Sequence, residues 1–201
     1  MKLLITAGST REPIDAVRFI GNRSSGRMGV AIAEAAREAG HDVTLILGVA
    51  TAPPPGGVRV VGVETTRQMH DAVAHEWPAH DLLIMNAAVA DYRPKGAAEG
   101  KLRRAGGLVL ELEPTEDILA SAARGKRAEQ RVVGFSLDVD DAASRERARA
   151  KLAAKGLDLI VFNPLATMDA GHSLSGRQIA RPRTAAVRAG AVNWASMSAQ
   201  R

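Results

Sequence analysis

The chain has 201 residues, of which 46% are hydrophobic, and this composition suffices to bury the core of a single domain. It contains no cysteine, which excludes disulfides, thiolate zinc ligands and a cysteine nucleophile. The formal net charge is +5, yet aromatic residues make up only 3% and the basic residues are scattered, so we expect small anionic ligands and no nucleic-acid partner. The absence of a long apolar run or an export signal predicts a cytoplasmic protein without a membrane partner.

Apolar runs without alternation recur along the chain, separated by stretches with helical spacing. Such runs are typical of strands covered on both faces, and their alternation with helices predicts an α/β domain with a mostly parallel sheet. From residue 173 the pattern shortens to alternation, which predicts a C-terminal antiparallel hairpin. We expect one domain over residues 1–190 and a frayed tail over 191–201. The predicted strands are 3–5, 43–47, 58–61, 82–85, 132–135 and 159–162, and the predicted helices are 26–39, 65–76, 116–123 and 141–155.

A long polar loop joins the first predicted strand to the first predicted helix. Ser24, Ser25 and Gly26 stand directly before that helix, where hydroxyls and unpaired backbone N–H groups can hold a phosphate. Helix capping, the structural alternative, does not account for a loop of some twenty residues that also carries several arginines. The loop matches neither the dinucleotide fingerprint nor the Walker loop, so it predicts an anion site of another kind. Its arginines are Arg11, Arg18, Arg23 and Arg27.

Small residues follow the predicted strand 82–85. Alanines at the carboxyl end of a strand let a flat base approach the backbone, and Asp91 offers an oxygen ligand for Mg²⁺ or a ribose hydroxyl. Tight packing and a plain turn are the structural alternatives for these residues. The charged, glycine-rich stretch 92–107 predicts a long loop at the same edge of the sheet, where ligands bind in open α/β folds.

Three lysines stand near this predicted edge in a chain where lysine is scarce. Lys101 lies in the long loop, and Lys151 and Lys155 are four residues apart on the last predicted helix. Compact ammonium groups suit a triphosphate that is bound and then released as pyrophosphate. Solvated surface charge is the structural alternative for each of them.

Five segments together resemble phosphopantothenoylcysteine synthetase, the ligase family of coenzyme A biosynthesis. They occur in the family's order and spacing over about residues 3–163, and the long first segment is highly specific. The segments are Thr6-Ala7-Gly8 through Met28-Gly29, Asn86-Ala87-Ala88-Val89-Ala90-Asp91-Tyr92, Lys101-Leu102-Arg103-Arg104, Gly134-Phe135, and Lys151 through Asp158-Leu159-Ile160.

The resemblance implies a Rossmann-like three-layer fold, a homodimer and a two-step ligation that uses Mg²⁺ and CTP. In the family, the carboxylate of 4′-phosphopantothenate attacks the α-phosphate of the nucleotide and releases pyrophosphate, and the amine of cysteine then displaces the nucleoside monophosphate. Bacterial members use CTP and eukaryotic members ATP, and this compact chain lacks the eukaryotic insertions, which favours CTP. Many bacterial members are fused to a flavin-dependent decarboxylase, so a separate phosphopantothenoylcysteine decarboxylase is an expected partner.

The resemblance also implies site residues at matching positions. Asn22 matches the asparagine that handles the acyl-nucleotide intermediate and also contacts the substrate. Lys101 matches the lysine that is needed to convert this intermediate to product. Arg18 matches a residue that helps bind the acid substrate near the dimer interface. Asp91 is implied near the ribose or the metal. The chain has Thr115-Glu116-Asp117 where the family commonly has Asn-Pro-Asp, and only Asp117 is carried over. The implied nucleotide-binding set is Ser24, Gly26, Met28, Gly29, Ala87, Ala88, Asp91, Asp117, Phe135, Lys151 and Lys155.

Two other functions remain open from the sequence. The strand-end Asn-Ala-Ala is reminiscent of NAD(P)-dependent reductases, which need a tyrosine and a lysine one helical turn apart. Here Tyr92, the only tyrosine, is separated from Lys95 by a proline that prevents a regular helix. A catalytically inactive nucleotide-binding homologue is the second alternative, because the stretch 163–175 departs from the family pattern. The presence of both Asn22 and Lys101 favours an enzyme.

Overall fold

A seven-stranded sheet forms the centre of the part of the chain that the structure describes. The structure is a computed structural model that describes residues 1–104, 106–167 and 178–180. Six strands run parallel, and a seventh runs antiparallel at one edge. In chain order the elements are β1 (Lys2–Ala7), β2 (Arg11–Pro13), β3 (Phe19–Gly21), α1 (Arg27–Glu38), β4 (Asp42–Leu47), β5 (Arg59–Gly62), α2 (Thr66–Glu76), β6 (Leu82–Met85), β7 (Tyr92–Pro94), β8 (Leu112–Pro114), α3 (Ile118–Arg124), β9 (Arg131–Asp138), α4 (Ala142–Ala154), β10 (Leu159–Pro164) and β11 (Gln178–Ala180).

The strand order places a crevice at the carboxyl ends of β1 and β6. The sheet has the order β11-β10-β9-β6-β1-β4-β5, which among the parallel strands is the 3-2-1-4-5-6 order of a doubly wound Rossmann fold. The order reverses between β1 and β6, which pair in parallel with Leu3 opposite Leu82. Connections that leave these two strands diverge, so ligands in such folds bind at this point. The predicted fold class is confirmed.

Two apolar layers hold the sheet between helices. Successive residues of β1 alternate between them, because Leu3 and Ile5 face the layer of α1 and Leu4 faces the layer of α2, α3 and α4. All three side chains are fully buried. Burial on both faces explains why the strands are continuous apolar runs.

The predicted strands and helices between residues 3 and 162 are all present. At the C-terminal end, β11 pairs antiparallel with β10, with Ile160 opposite Ala180, where the hairpin is predicted. The remainder of that hairpin and the tail over 191–201 lie outside the described residues, so the domain boundary at residue 190 stays a prediction.

The two long predicted loops are each partly a β-ribbon. Strands β2 and β3 pair within the first loop, and β7 pairs with β8 across the second, so Tyr92 begins a strand and not a loop. These strands are only three residues long and rich in proline, glycine and charge, as in Arg11–Pro13 and Leu112–Pro114. Such short polar strands carry no periodic apolar signal, which is why the sequence pattern does not predict them.

Candidate functional site at the sheet switch point

Glycines allow α1 to begin directly against the end of β1. Gly26 precedes the helix with a left-handed φ of +75°, and a Cβ there would lie 2.6 Å from the Ala50 Cβ. Gly29 is packed so closely that its Cβ would lie 2.4 Å from the Cβ of Ala7. The Ser25 Oγ accepts only a long hydrogen bond, 3.5 Å, from the first helical N–H. The first turn can therefore offer N–H groups and the positive end of the helix dipole to an anion.

Ser24 and Met28 flank this helix start. Ser24 is exposed, and its Oγ accepts a hydrogen bond from the Gly26 N–H at 3.3 Å. The Met28 Sδ accepts a hydrogen bond from Asn86 Nδ2 at 3.2 Å, at the end of β6. The residues that the sequence assigns to phosphate binding are thus brought together where β1, β6 and α1 meet.

The segment after β6 is bound to the first loop. Ala87 and Ala88 are half-buried, and the Ala88 N–H donates to the Gly8 carbonyl at 2.8 Å. Asn22 Nδ2 donates to the Val89 carbonyl at 2.7 Å. This contact brings Asn22 beside the segment that carries Ala87 and Ala88, which the resemblance assigns to nucleotide binding.

A cluster of charged groups lies at the ends of β9, α3 and α4. Lys151 Nζ donates to the Phe135 carbonyl at 2.9 Å, and Lys155 Nζ pairs with Asp117 Oδ2 at 2.7 Å. Burial lowers the pKa of Lys151, and the charge of Lys155 lowers it further. Burial alone would raise the pKa of Asp117, but hydrogen bonds from Lys155 and the Ala120 N–H outweigh burial and lower it. Four predicted site residues therefore form one cluster.

Arg18 and Lys101 lie on the two ribbons. The Arg18 guanidinium pairs with Asp15 Oδ2 at 2.5 Å and donates to the Leu102 carbonyl at 2.7 Å. Lys101 is exposed, and within the described part of the chain its ammonium has no hydrogen-bond partner. An unpaired ammonium can act on a bound substrate without first breaking an internal contact.

Asp91 offers an exposed carboxylate at the same edge. Its backbone carbonyl accepts a hydrogen bond from the Thr115 N–H at 3.0 Å, which holds the segment in place. The described ranges contain no group of three or more histidine, aspartate or glutamate side chains able to hold a metal ion. One carboxylate fits Mg²⁺, which binds through one or two carboxylates together with substrate phosphates and water.

An open depression of about 690 Å³ lies at the ends of β4 and β5. Its lining combines backbone and apolar groups with Glu64 and Gln68, and it contains none of the predicted site residues. The predicted residues instead lie at the start of α1, after β6, beside β9 and on the two ribbons. Within residues 1–104, 106–167 and 178–180, no helix is long and apolar enough to span a membrane, and the cytoplasmic location stays a prediction.

Sequence reasoning assigned no individual site role to Asp15 or Asn86, although both lie within the family segments. An aspartate in a polar loop is typical of a turn, and nothing local shows that Asp15 contacts Leu102, 87 residues away. Asn86 follows a buried strand directly, and that position at a strand's carboxyl end was the signal that could have found it.

The fold and this edge define a Rossmann-type α/β domain with a basic, glycine-rich switch point. The chain belongs to the family of the DNA/pantothenate metabolism flavoprotein C-terminal domain, whose model matches residues 1–185. This membership confirms the resemblance drawn from the sequence motifs.

Relatives and solved structures agree with this family. The chain is 47% identical over 172 residues to the coenzyme A biosynthesis bifunctional protein CoaBC of Mycobacterium tuberculosis (strain ATCC 25618 / H37Rv), covering 81% of this chain and 41% of that protein. The crystal structure of the C-terminal domain of a CoaBC protein superposes with a TM-score of 0.71 at 42% identity, covering 81% of this chain and 76% of that one. The crystal structure of the DNA/pantothenate metabolism flavoprotein from Streptococcus pneumoniae superposes with a TM-score of 0.76 at 26% identity, covering 90% of this chain and 92% of that one. The chain thus spans about two fifths of the length of its curated relatives.

Proposed function

We propose that this chain ligates 4′-phosphopantothenate to L-cysteine with CTP, as a step of coenzyme A biosynthesis. The products are 4′-phosphopantothenoylcysteine, CMP and pyrophosphate. The observation that carries the proposal is the meeting of Lys151, Lys155, Asp117 and the Phe135 carbonyl beside the switch point, because these family positions are far apart in sequence. Nucleotide phosphates need such a concentration of positive charge.

The proposed reaction has two steps. A carboxylate oxygen of the acid attacks the α-phosphorus of CTP, and the bond to the departing pyrophosphate breaks. The amine of cysteine then attacks the acyl carbon of the acyl-cytidylate, and the bond to CMP breaks as the amine loses a proton. Lys151 and Lys155 would neutralise the triphosphate, Asn22 would orient the acyl-nucleotide, and Lys101 would stabilise charge in the second step.

Mg²⁺ is proposed as the metal of the first step. The exposed Asp91 carboxylate would bind it together with the phosphates of CTP. Bound there, the ion would supply charge neutralisation on the triphosphate.

The reductase alternative is poorly supported by the geometry. Tyr92 lies in β7 and not on a helix, so Lys95 is not placed one helical turn away from it. Lys95 instead pairs with Glu111 on the neighbouring segment. The ammonium that would lower the pKa of a catalytic tyrosine is therefore engaged elsewhere.

The experiment that tests the proposal follows both half-reactions. Purified protein is mixed with 4′-phosphopantothenate, Mg²⁺ and either CTP or ATP, with cysteine present or absent. We expect a pyrophosphate burst in the mixtures that contain CTP and none in those that contain ATP. Amide product should form only when cysteine is present, and chelation of the metal should abolish both the burst and the product. Binding of CTP without pyrophosphate release would instead identify an inactive homologue, and binding of NADPH without CTP binding would identify the reductase.

Lys151→Met is expected to weaken CTP binding. The substitution removes an ammonium that is held toward the cluster by the Phe135 carbonyl. Because a hydrogen bond to a charged group contributes about 1.5–3 kcal/mol, we expect the KM for CTP to rise about tenfold to a hundredfold. Steady-state kinetics measure this rise. Lys2→Met, at the amino end of β1 and so at the opposite end of the parallel strands from the cluster, is the control. Equal KM values for Lys151→Met and the wild type would contradict the assignment.

A homodimer is proposed through the apolar side chains on the ribbons. Val109, in the connection between β7 and β8, is 93% exposed, and further large apolar residues of the two ribbons and their connections are exposed as well. Exposed apolar patches of this kind mark association surfaces. The others are Val17, Phe19, Tyr92, Leu108 and Leu112.

Val109→Asp is expected to shift the protein from dimer to monomer, because the interface would have to bury an unpaired carboxylate. Sedimentation equilibrium measures the mass. Val60→Asp, on the exposed edge strand β5, is the matched control and should leave the mass unchanged. A wild-type protein that sediments as a monomer would refute this interface.

The amide product carries the carboxylate of its cysteine residue. We propose that a phosphopantothenoylcysteine decarboxylase removes that carboxylate in the next reaction.

A further inference from the structure

We infer that Asp15 is a positioning residue that holds Arg18 and the segment carrying Lys101 in their working places through one buried carboxylate. The inference rests on the proposed function, since it assigns Asp15 a part in the second step of that reaction. Asp15 lies in the turn between β2 and β3, whereas Lys101 lies between β7 and β8. The carboxylate therefore joins the two ribbons at the edge of the site.

The Asp15 carboxylate accepts five hydrogen bonds. Its side chain is 0% exposed. Oδ1 accepts from the backbone N–H groups of Val17 and Arg18, both at 2.8 Å. Oδ2 accepts from Arg18 Nη2 at 2.5 Å, from Arg18 Nε at 2.9 Å and from the Leu102 N–H at 3.1 Å. Neither oxygen is exposed to water, so the carboxylate binds only groups of the protein itself.

Two further hydrogen bonds join the same turn to the segment 98–102. The Ala98 N–H donates to the Ile14 carbonyl at 3.0 Å, and Arg18 Nη2 donates to the Leu102 carbonyl at 2.7 Å. Lys101 lies between these attachment points, and its side chain has no partner among the described residues. The backbone from which the Lys101 side chain extends is therefore held by these contacts.

Only an ionised carboxylate can accept all five hydrogen bonds. Burial by itself would raise the pKa of Asp15, but the Val17 and Arg18 N–H groups, the Arg18 guanidinium and the Leu102 N–H hold it well below its usual range. An asparagine would place an NH₂ group against N–H donors on one side of the amide. Asp15→Asn therefore releases part of the contact while keeping the size of the side chain.

The experiment compares the two half-reactions of Asp15→Asn with those of the wild type. We expect a pyrophosphate burst within about threefold of wild type at saturating substrates, and a raised KM for the acid because Arg18 loses its orienting partner. We expect the cysteine-dependent step to fall about a hundredfold, with acyl-cytidylate accumulating, because small misplacements of a reacting group are costly. Asp81→Asn is the matched control and should show wild-type rates. The Asp81 carboxylate accepts a hydrogen bond from the Lys2 N–H at the amino ends of the parallel strands, away from the site.

A merely structural role for Asp15 would lower both steps together, and that result would overturn the inference. So would an unchanged amide-forming step in a folded Asp15→Asn protein. Hydrogen exchange on the wild-type chain keeps the inference testable if the variant does not fold. The Ala98 and Leu102 amides, which donate to Ile14 and Asp15, should be protected, and their exchange at the rate of an unstructured peptide would overturn the inference. A wild-type protein that gives no pyrophosphate burst with CTP would refute the proposed function itself, whereas the protection of the Ala98 and Leu102 amides would still report the contact.

Discussion

Lys101→Gln is expected to abolish amide formation while acyl-cytidylate accumulates. Lys101 is exposed, and in the described part of the chain its ammonium has no partner, so the substitution removes charge without disturbing an internal contact. Glutamine keeps a polar end but cannot neutralise the charge that develops as cysteine displaces CMP. Because a single preorganised electrostatic group contributes about 10²–10³ in rate, the second step should fall by at least about a hundredfold. Quenched single-turnover reactions, separated by chromatography, measure the intermediate and CMP.

Lys95→Gln is the matched control for this variant. Lys95 is the first residue of the same connection between β7 and β8 and pairs with Glu111 on the surface, where ion pairs contribute little. Its amide-forming rate should equal that of the wild type. Normal turnover by Lys101→Gln would defeat the proposed role of Lys101, even if CTP binding and pyrophosphate release were as expected.

Gly29→Ala is expected to destabilise the protein and to displace the start of α1 from the end of β1. The added Cβ would lie 2.4 Å from the Ala7 Cβ and 3.0 Å from both the Ala7 Cα and Asn86 Oδ1. Ala7 is at the end of a central strand and cannot rotate away, so the helix must move. Overpacking of this kind costs about 1–3 kcal/mol, which should lower Tm by roughly 2–12 °C.

Thermal unfolding and CTP titration together test this prediction. Because the helix start moves with α1, the affinity for CTP should fall as well as Tm. Gly62→Ala is the control, since a Cβ at the end of edge strand β5 has no neighbour within 4 Å. An unchanged Tm for Gly29→Ala would contradict the close packing of α1 against β1.

The central sheet was predictable because burial on two faces imposes a pattern on every strand. Leu82–Met85 is apolar at all four positions, and the structure buries all four. The ribbons β2–β3 and β7–β8 were not predictable from periodicity, because each strand has three residues and is stabilised by contacts outside itself. The Arg11 guanidinium over the Phe19 ring, 4.2 Å from its centre, is one such contact.

The sequence proposes a set of site residues but not their arrangement. Ser24 and Gly26 are proposed from their place before a helix, and the lysines, Asn22 and Phe135 are proposed from the family motifs. The contact between Lys151 Nζ and the Phe135 carbonyl depends on how α4 packs beside β9, which the order of motifs along the chain does not contain.

The sequence by itself determined the α/β class, the order of the elements and the family to which the chain belongs, because continuous apolar runs and long motifs are local properties. Only the tertiary structure decided that Asp15 is buried and joined to Leu102, and that the neighbouring Lys101 is exposed with no partner among the described residues. Hydrogen bonds across 87 residues of chain leave no periodic trace in the sequence, since they form only when two ribbons are brought together by the sheet.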